Sequence, residues 1–323
     1  MLFARWSGME RPWYLLAALL TGVFFKLAWT GAGLLPASDG GAMMQVDGRW
    51  GSIIALLAGF LVASGNWVLR QGARDWRRVP VEREVREPLA QGTFAPGGRA
   101  ALISVLLGLL MGTLQLWASG DLAMMLEAQP PTLIAASLVV LLFWTLAVQV
   151  GVTFLILIRG FYRLGLTIEP DPLRIEPLAP FSVVGLRILG ANTTLCALLV
   201  LSVGLGARTQ DLLGLTVPLA FSVVISVPCF LLPQLGARNS LRRTRRRMIE
   251  QLDRRLAQLG FPAPQALDPG SAHEVATLID LRARLLDAPD WPVTGLGWLR
   301  FTAVLLLPAG SWGLDRLLSV LFG

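Results

Sequence analysis

Lys26 is the residue whose chemistry is hardest to dismiss, because it is the only lysine in 323 residues and it sits inside an apolar run. About three and a half helical turns of apolar sequence from Trp13 precede it. An ammonium in hydrocarbon is expensive and by default marks a function, facing a bundle interior or a water-filled cavity. A partner there would be a backbone carbonyl, Gln115, Gln149, a lipid phosphate or water. The competing outcome is snorkelling: Thr30, Gly31 and Gly33 follow closely, so a tilted helix can deliver Lys26 to the outer headgroups.

Four amides, Asn66, Gln115, Gln149 and Asn192, fall one to an apolar run. They can line a polar path with Lys26, or act as interhelical glue at about 0.6–2 kcal/mol each. Proton-coupled transport normally needs Asp, Glu or His within the spans, and the first six apolar runs have none.

A second cluster is the run Arg242, Arg243, Thr244, Arg245, Arg246, Arg247. Beside a membrane, each such charge contributes about 1 kcal/mol toward anionic headgroups. The plainer reading is a topological anchor for the preceding span. Nucleic acid is not expected as a partner, since no aromatic or motif support accompanies the arginines.

Other reactive residue types do not assemble into a site. His273 is the single histidine, and Cys196 and Cys229 both lie in apolar runs, which suits buried hydrophobes rather than a disulfide. Glu169, Asp171 and Glu176 alternate with prolines, a pattern of rigid turns more than of metal ligands. No G-x-S-x-G, P-loop, HExxH or CxxC is present. The sequence therefore predicts no catalytic residue, no metal and no cofactor.

The elements that position these residues are membrane helices. Hydrophobic residues make up 54% and charged ones only 15%, where a soluble domain carries about a quarter charged. The charges gather between long apolar runs, as a hydrocarbon slab requires of helices of about 20 residues. The runs do not alternate, which excludes a β-barrel. Spans are expected at 13–35, 50–69, 100–118, 132–158, 188–207 and 212–233, with charged loops at 70–99 and 159–187. Arg5 and Arg11 resemble the charged region of a signal peptide, but the first run is too long and Lys26 interrupts it, so an uncleaved span is expected. Gly108 and Gly112 form a G-x-x-x-G pair that permits close helix approach.

Residues 234–297 read as a short helical hairpin. Leu241, Met248, Leu252, Leu256 and Leu259 give one apolar stripe; Val275, Leu278, Leu281 and Leu285 give the other, after an S-x-x-E capping pattern at Ser271. The final run, 298–323, contains Pro308 and is short, so it is either a seventh span or an interfacial helix. Trp13, Trp50, Trp117, Trp291 and Trp298 near run ends suit an interfacial belt. With the N-terminus inside, 24 of the 28 basic residues fall on the inner side, which fixes that orientation.

The expected fold is thus an all-α polytopic bundle of six or seven spans (1–233 and 298–323) with a cytoplasmic helical hairpin, in a bacterial-type inner membrane. The expected function is a non-enzymatic scaffold or a signalling and assembly component. Its partners would be the bilayer, anionic headgroups at the cytoplasmic face, and a second copy or a cytoplasmic protein docked on 234–297. An oligomeric pore lined by Lys26 or the amides is the alternative. A membrane-embedded lipid-active enzyme is the third class, and it lacks a visible acid/base constellation.

Overall fold

The computed structural model describes residues 11–33, 48–94, 97–118, 131–204, 211–259, 269–291 and 297–303. The protein is all-helical, with no strand among the described residues. In chain order the helices are α1 (Arg11–Gly33), α2 (Gly48–Arg78), α3 (Arg83–Phe94), α4 (Gly98–Ala118), α5 (Pro131–Thr167), α6 (Ala179–Gly204), α7 (Asp211–Gln258) and α8 (Pro269–Asp287). A 3-10 turn at Glu176–Leu178 leads into α6. Among the described residues five helical segments are long and apolar enough to cross a membrane: Trp13–Ala32, Trp50–Arg78, one within Arg83–Ala118 whose apolar part is α4, Pro131–Thr167 and Glu176–Leu199.

α5 organises the bundle, touching α1, α2, α3, α4, α6 and α7. It has 37 residues, about 55 Å of helix, and carries no charge until Arg159. The main core lies where α2, α5, α6 and α7 cross, around Trp76, Leu157, Ile158, Phe161, Phe181, Ile188 and Leu241. Phe161 meets Trp76 and Phe181 edge to face at 5.1 and 5.8 Å, the geometry the ring quadrupole favours. Cys196 and Cys229 are both buried, with no disulfide between them.

Glycines set the closest crossings. A Cβ on Gly165 of α5 would come within 2.6 Å of the Ala237 nitrogen of α7, and one on Gly236 would overlap the Tyr162 carbonyl. Ser240 then donates from Oγ to the buried Gly165 carbonyl at 2.6 Å. Gly108 and Gly112 of α4 press on the α5 backbone at Thr145 and Leu141, so the G-x-x-x-G pair serves contact within this chain.

The outward faces of α1 and α4 are apolar. Leu19, Leu27, Leu102, Leu106 and Trp117 are all more than half exposed. Continuous exposed leucine faces of this kind need a lipid environment rather than water.

The helices overrun the apolar runs that seeded them. The segment 70–99, expected as a charged loop, is mostly helix: α2 continues to Arg78, and α3 follows after Val79-Pro80-Val81-Glu82. Pro80 disfavours helix at the residue before it, which explains the stop. The Arg86 guanidinium closes the turn, donating from Nη2 to the Val79 and Val81 carbonyls and from Nη1 to that of Arg77. α5 likewise continues to Thr167 and stops before Glu169-Pro170. The boundary placed at 233/234 falls inside α7, which is continuous from Asp211 to Gln258. α8 begins at Pro269, two residues ahead of Ser271, because proline's fixed φ suits a first helical turn. Glu274, the acid of the expected capping pattern, pairs with Arg255 of α7 at 3.0 Å instead.

Candidate functional site

Lys26 lies on α1 opposite the first turns of α2. Its Nζ donates to Ser52 Oγ at 2.8 Å, and one position away Gly51 packs directly against the Trp29 ring. Ser52 is four residues from the start of α2, so Lys26 sits within about 6 Å of a helix end along the axis. The side chain is half-buried. Ser52 was not among the partners anticipated for it. A hydroxyl one helix away is a signal that an unpaired sequence reading does not carry.

The amides are spread over four helices, and among the described residues Asn192 is the one that bridges to a neighbouring helix. Asn192 of α6 donates from Nδ2 to Ser226 Oγ of α7 at 2.7 Å. Asn66 is buried in α2 and donates to its own turn at the Val62 carbonyl, 2.8 Å away. Gln115 on α4 and Gln149 on α5 are half-buried, and the Gln115 Oε1 is enclosed with no hydrogen-bond partner. Buried amides of this kind fix helix register by hydrogen bonding, a structural use as much as a conductive one.

The arginine-rich end holds the densest polar chemistry, on α2, α6, α7 and the segment after α8. Asp75 of α2 is buried and ion-paired to Arg187 of α6, with Arg78 Nη1 at 3.9 Å from its other oxygen. Arg187 also lies 5.9 Å over the Trp67 ring. Neither residue stood out in sequence: Asp75 sits among arginines, and Arg187 is a lone charge at the edge of an apolar run. The helical period there, with Leu69, Trp76 and Val79 inward and Arg74, Arg77 and Arg78 outward, is the cue to an extended helix.

The five arginines of 242–247 divide into different roles. Arg242 and Arg245 converge on Asp290, the Arg245 Nη1 at 2.8 Å from Oδ1, and Arg245 also donates to the Ala288 carbonyl. Arg247 reaches Glu169 beyond the end of α5 at 3.3 Å. Arg243 and Arg246 are exposed and pair with no carboxylate among the described residues. The Asp290 carboxyl is held below the ordinary carboxylate range, chiefly by the Arg242 hydrogen bond, with Arg245 and Arg238 adding to it.

Next to Asp290, Trp291 lies under the Arg238 guanidinium at 4.1 Å. A ladder of rings follows: Trp291 to Trp298 at 5.9 Å, Trp298 to Phe301 at 5.9 Å, and Phe301 stacked on Phe230 of α7 at 4.2 Å. The chain after α8 therefore returns along α7 toward its apolar half. α8 itself is tied to α7 by Arg255–Glu274 and by Arg282–Asp253 at 2.7 Å. His273 is exposed.

Among the described residues, no three His, Cys, Asp or Glu side chains gather where they could hold a metal ion. The arrangement offers charge recognition and helix clamping at one end of a bundle. Comparison with known proteins adds no identification: no protein-family model matches the chain, and no curated protein or solved structure resembles it.

Proposed function

We propose that this protein is a multi-pass membrane component of the bacterial inner-membrane type, N-terminus on the cytoplasmic side, acting as a scaffold or signalling and assembly element through its helical hairpin. The carrying observation is α7, a single helix of 48 residues whose first half is apolar and whose second half forms one arm of the hairpin. Helix continues through Pro233, which lies where the two halves meet and lacks one backbone donor, so the packing of the apolar half sets the angle at which the arm leaves it. Ion pairs then hold α8 to that arm, while Ile279 and Leu286 of α8 remain exposed. Two short helices bury little apolar surface alone, so exposed aliphatics on the outer one suit a docking face.

The orientation rests on the arginine distribution. In this reading α7 supplies a sixth span, and the stacking of Phe301 on Phe230 supports a seventh beginning near residue 298. A photocrosslinker placed at position 286 of the full chain, in intact membranes, should give a discrete adduct with a second copy or a cytoplasmic protein. Ile279→Arg should abolish it. If only the uncrosslinked chain is recovered from positions 286 and 279 alike, the docking role is wrong.

A further inference from the structure

We infer that Arg243 and Arg246 form a contact for the phosphate of an anionic phospholipid, and that Arg242 and Arg245 take no part in it. The inference rests on the reading that the apolar half of α7 is embedded in the membrane. Sequence alone presents 242–247 as one basic patch. The structure separates it by direction around the helix.

Leu232, Asn239, Arg243 and Arg246 are all exposed on α7. Their spacing of seven, four and three residues puts them in one stripe along a single helix face. The opposite face, with Cys229, Phe230, Ala237, Ser240 and Leu241, is buried against the bundle. The outward stripe therefore changes from apolar at Leu232 to amide at Asn239 to guanidinium at Arg243 and Arg246, the order met on leaving hydrocarbon for headgroups.

Distance and direction agree with that occupant. Arg243 and Arg246 lie about 7 and 12 Å along the axis past Arg238. Side chains on a helix lean toward its N-terminus, which on α7 is the apolar end, so both guanidiniums reach back toward the lipid surface. Two guanidiniums one turn apart can each fork onto the oxygens of one phosphate. Arg242 and Arg245 point elsewhere, into Asp290, and Arg247 is engaged with Glu169. Charge complementarity and continuity with a lipid-exposed stripe both select an anionic headgroup over a protein partner.

The test uses the full chain incubated with vesicles of equimolar phosphatidylglycerol and phosphatidylcholine, followed by native mass spectrometry of retained lipid. Wild type should retain phosphatidylglycerol selectively. R243A/R246A should lower that selectivity by about thirtyfold, the effect of two surface charges. R243K/R246K should keep most of it, and R242A/R245A should keep the wild-type preference. Equal loss in both alanine pairs, or no loss in R243A/R246A, would overturn the assignment. So would displacement of the lipid by millimolar inorganic phosphate, which would make the ligand a free anion. Failure of wild type to float with pure phosphatidylcholine vesicles would discard the membrane reading underneath, a result separable from loss of selectivity alone.

Discussion

Asp75 of α2 and Arg187 of α6 stand 112 residues apart in sequence and form an ion pair in the wall of the main core, the carboxylate only 5% exposed. Removing one partner of such a pair leaves the other charge buried and uncompensated, at a cost of about 3–5 kcal/mol. Asp75→Asn should therefore lower the melting temperature of the detergent-solubilised protein clearly. The double variant Asp75→Leu/Arg187→Leu, which removes both charges, should recover much of the loss. A single variant that melts with the wild type would show that the pair carries no stability.

The glycine crossing of α5 and α7 gives a second test. Gly236→Ala forces a methyl group into the Tyr162 carbonyl, so the two helices must separate and the Ser240–Gly165 hydrogen bond must weaken. Gly151 on α5 has open space around it, and alanine there should stabilise the helix by up to about 1 kcal/mol. Opposite shifts in thermal stability for the two alanine variants are expected. Matching shifts would mean that backbone contact does not set this crossing.

Acid should open the return segment after α8, and only strong acid. Because Asp290 titrates below its ordinary 3.8, its contribution to the closed form is complete above that value and is lost as pH falls through the lowered one. Protection against hydrogen exchange at residues 288–291, taken relative to the intrinsic rate at each pH, should be flat from neutrality down to about pH 5. Asp290→Asn should raise exchange there at every pH. Protection that fades already near neutral pH would assign the clamp to another group.

Lys26 bears on the pore reading. Its bond to Ser52 near the start of α2 gives the ammonium a neighbour at the end of α2 opposite Arg74, Arg77 and Arg78. Lys26→Ala should leave ion flux through reconstituted protein in liposomes unchanged. Flux that appears in wild type and depends on Lys26 would revive the pore.

The sequence announced the helices and the separation of apolar from basic sequence, because burial in lipid leaves composition no freedom over about 20 residues. It concealed how far the helices run past the hydrocarbon. Arg74, Arg77 and Arg78 read as a loop by charge, yet they ride the outer face of α2 while Leu69 and Trp76 hold the inner one. Residue 234 looked like a boundary because hydropathy falls there and Pro233 precedes it, although the helix runs on through both. The sorting of the five arginines was equally hidden, since it depends on where Asp290 and Glu169 arrive from 48 and 78 residues away.

Both cysteines of the chain are buried, and no disulfide joins them. The native protein is thus close to blank toward a polar maleimide in the folded state. A cysteine introduced at 243, 246 or 286 would report its own surroundings, with no need to strip the background first. Labelling from one side of a sealed vesicle would then read the sidedness of the arginine-rich end directly.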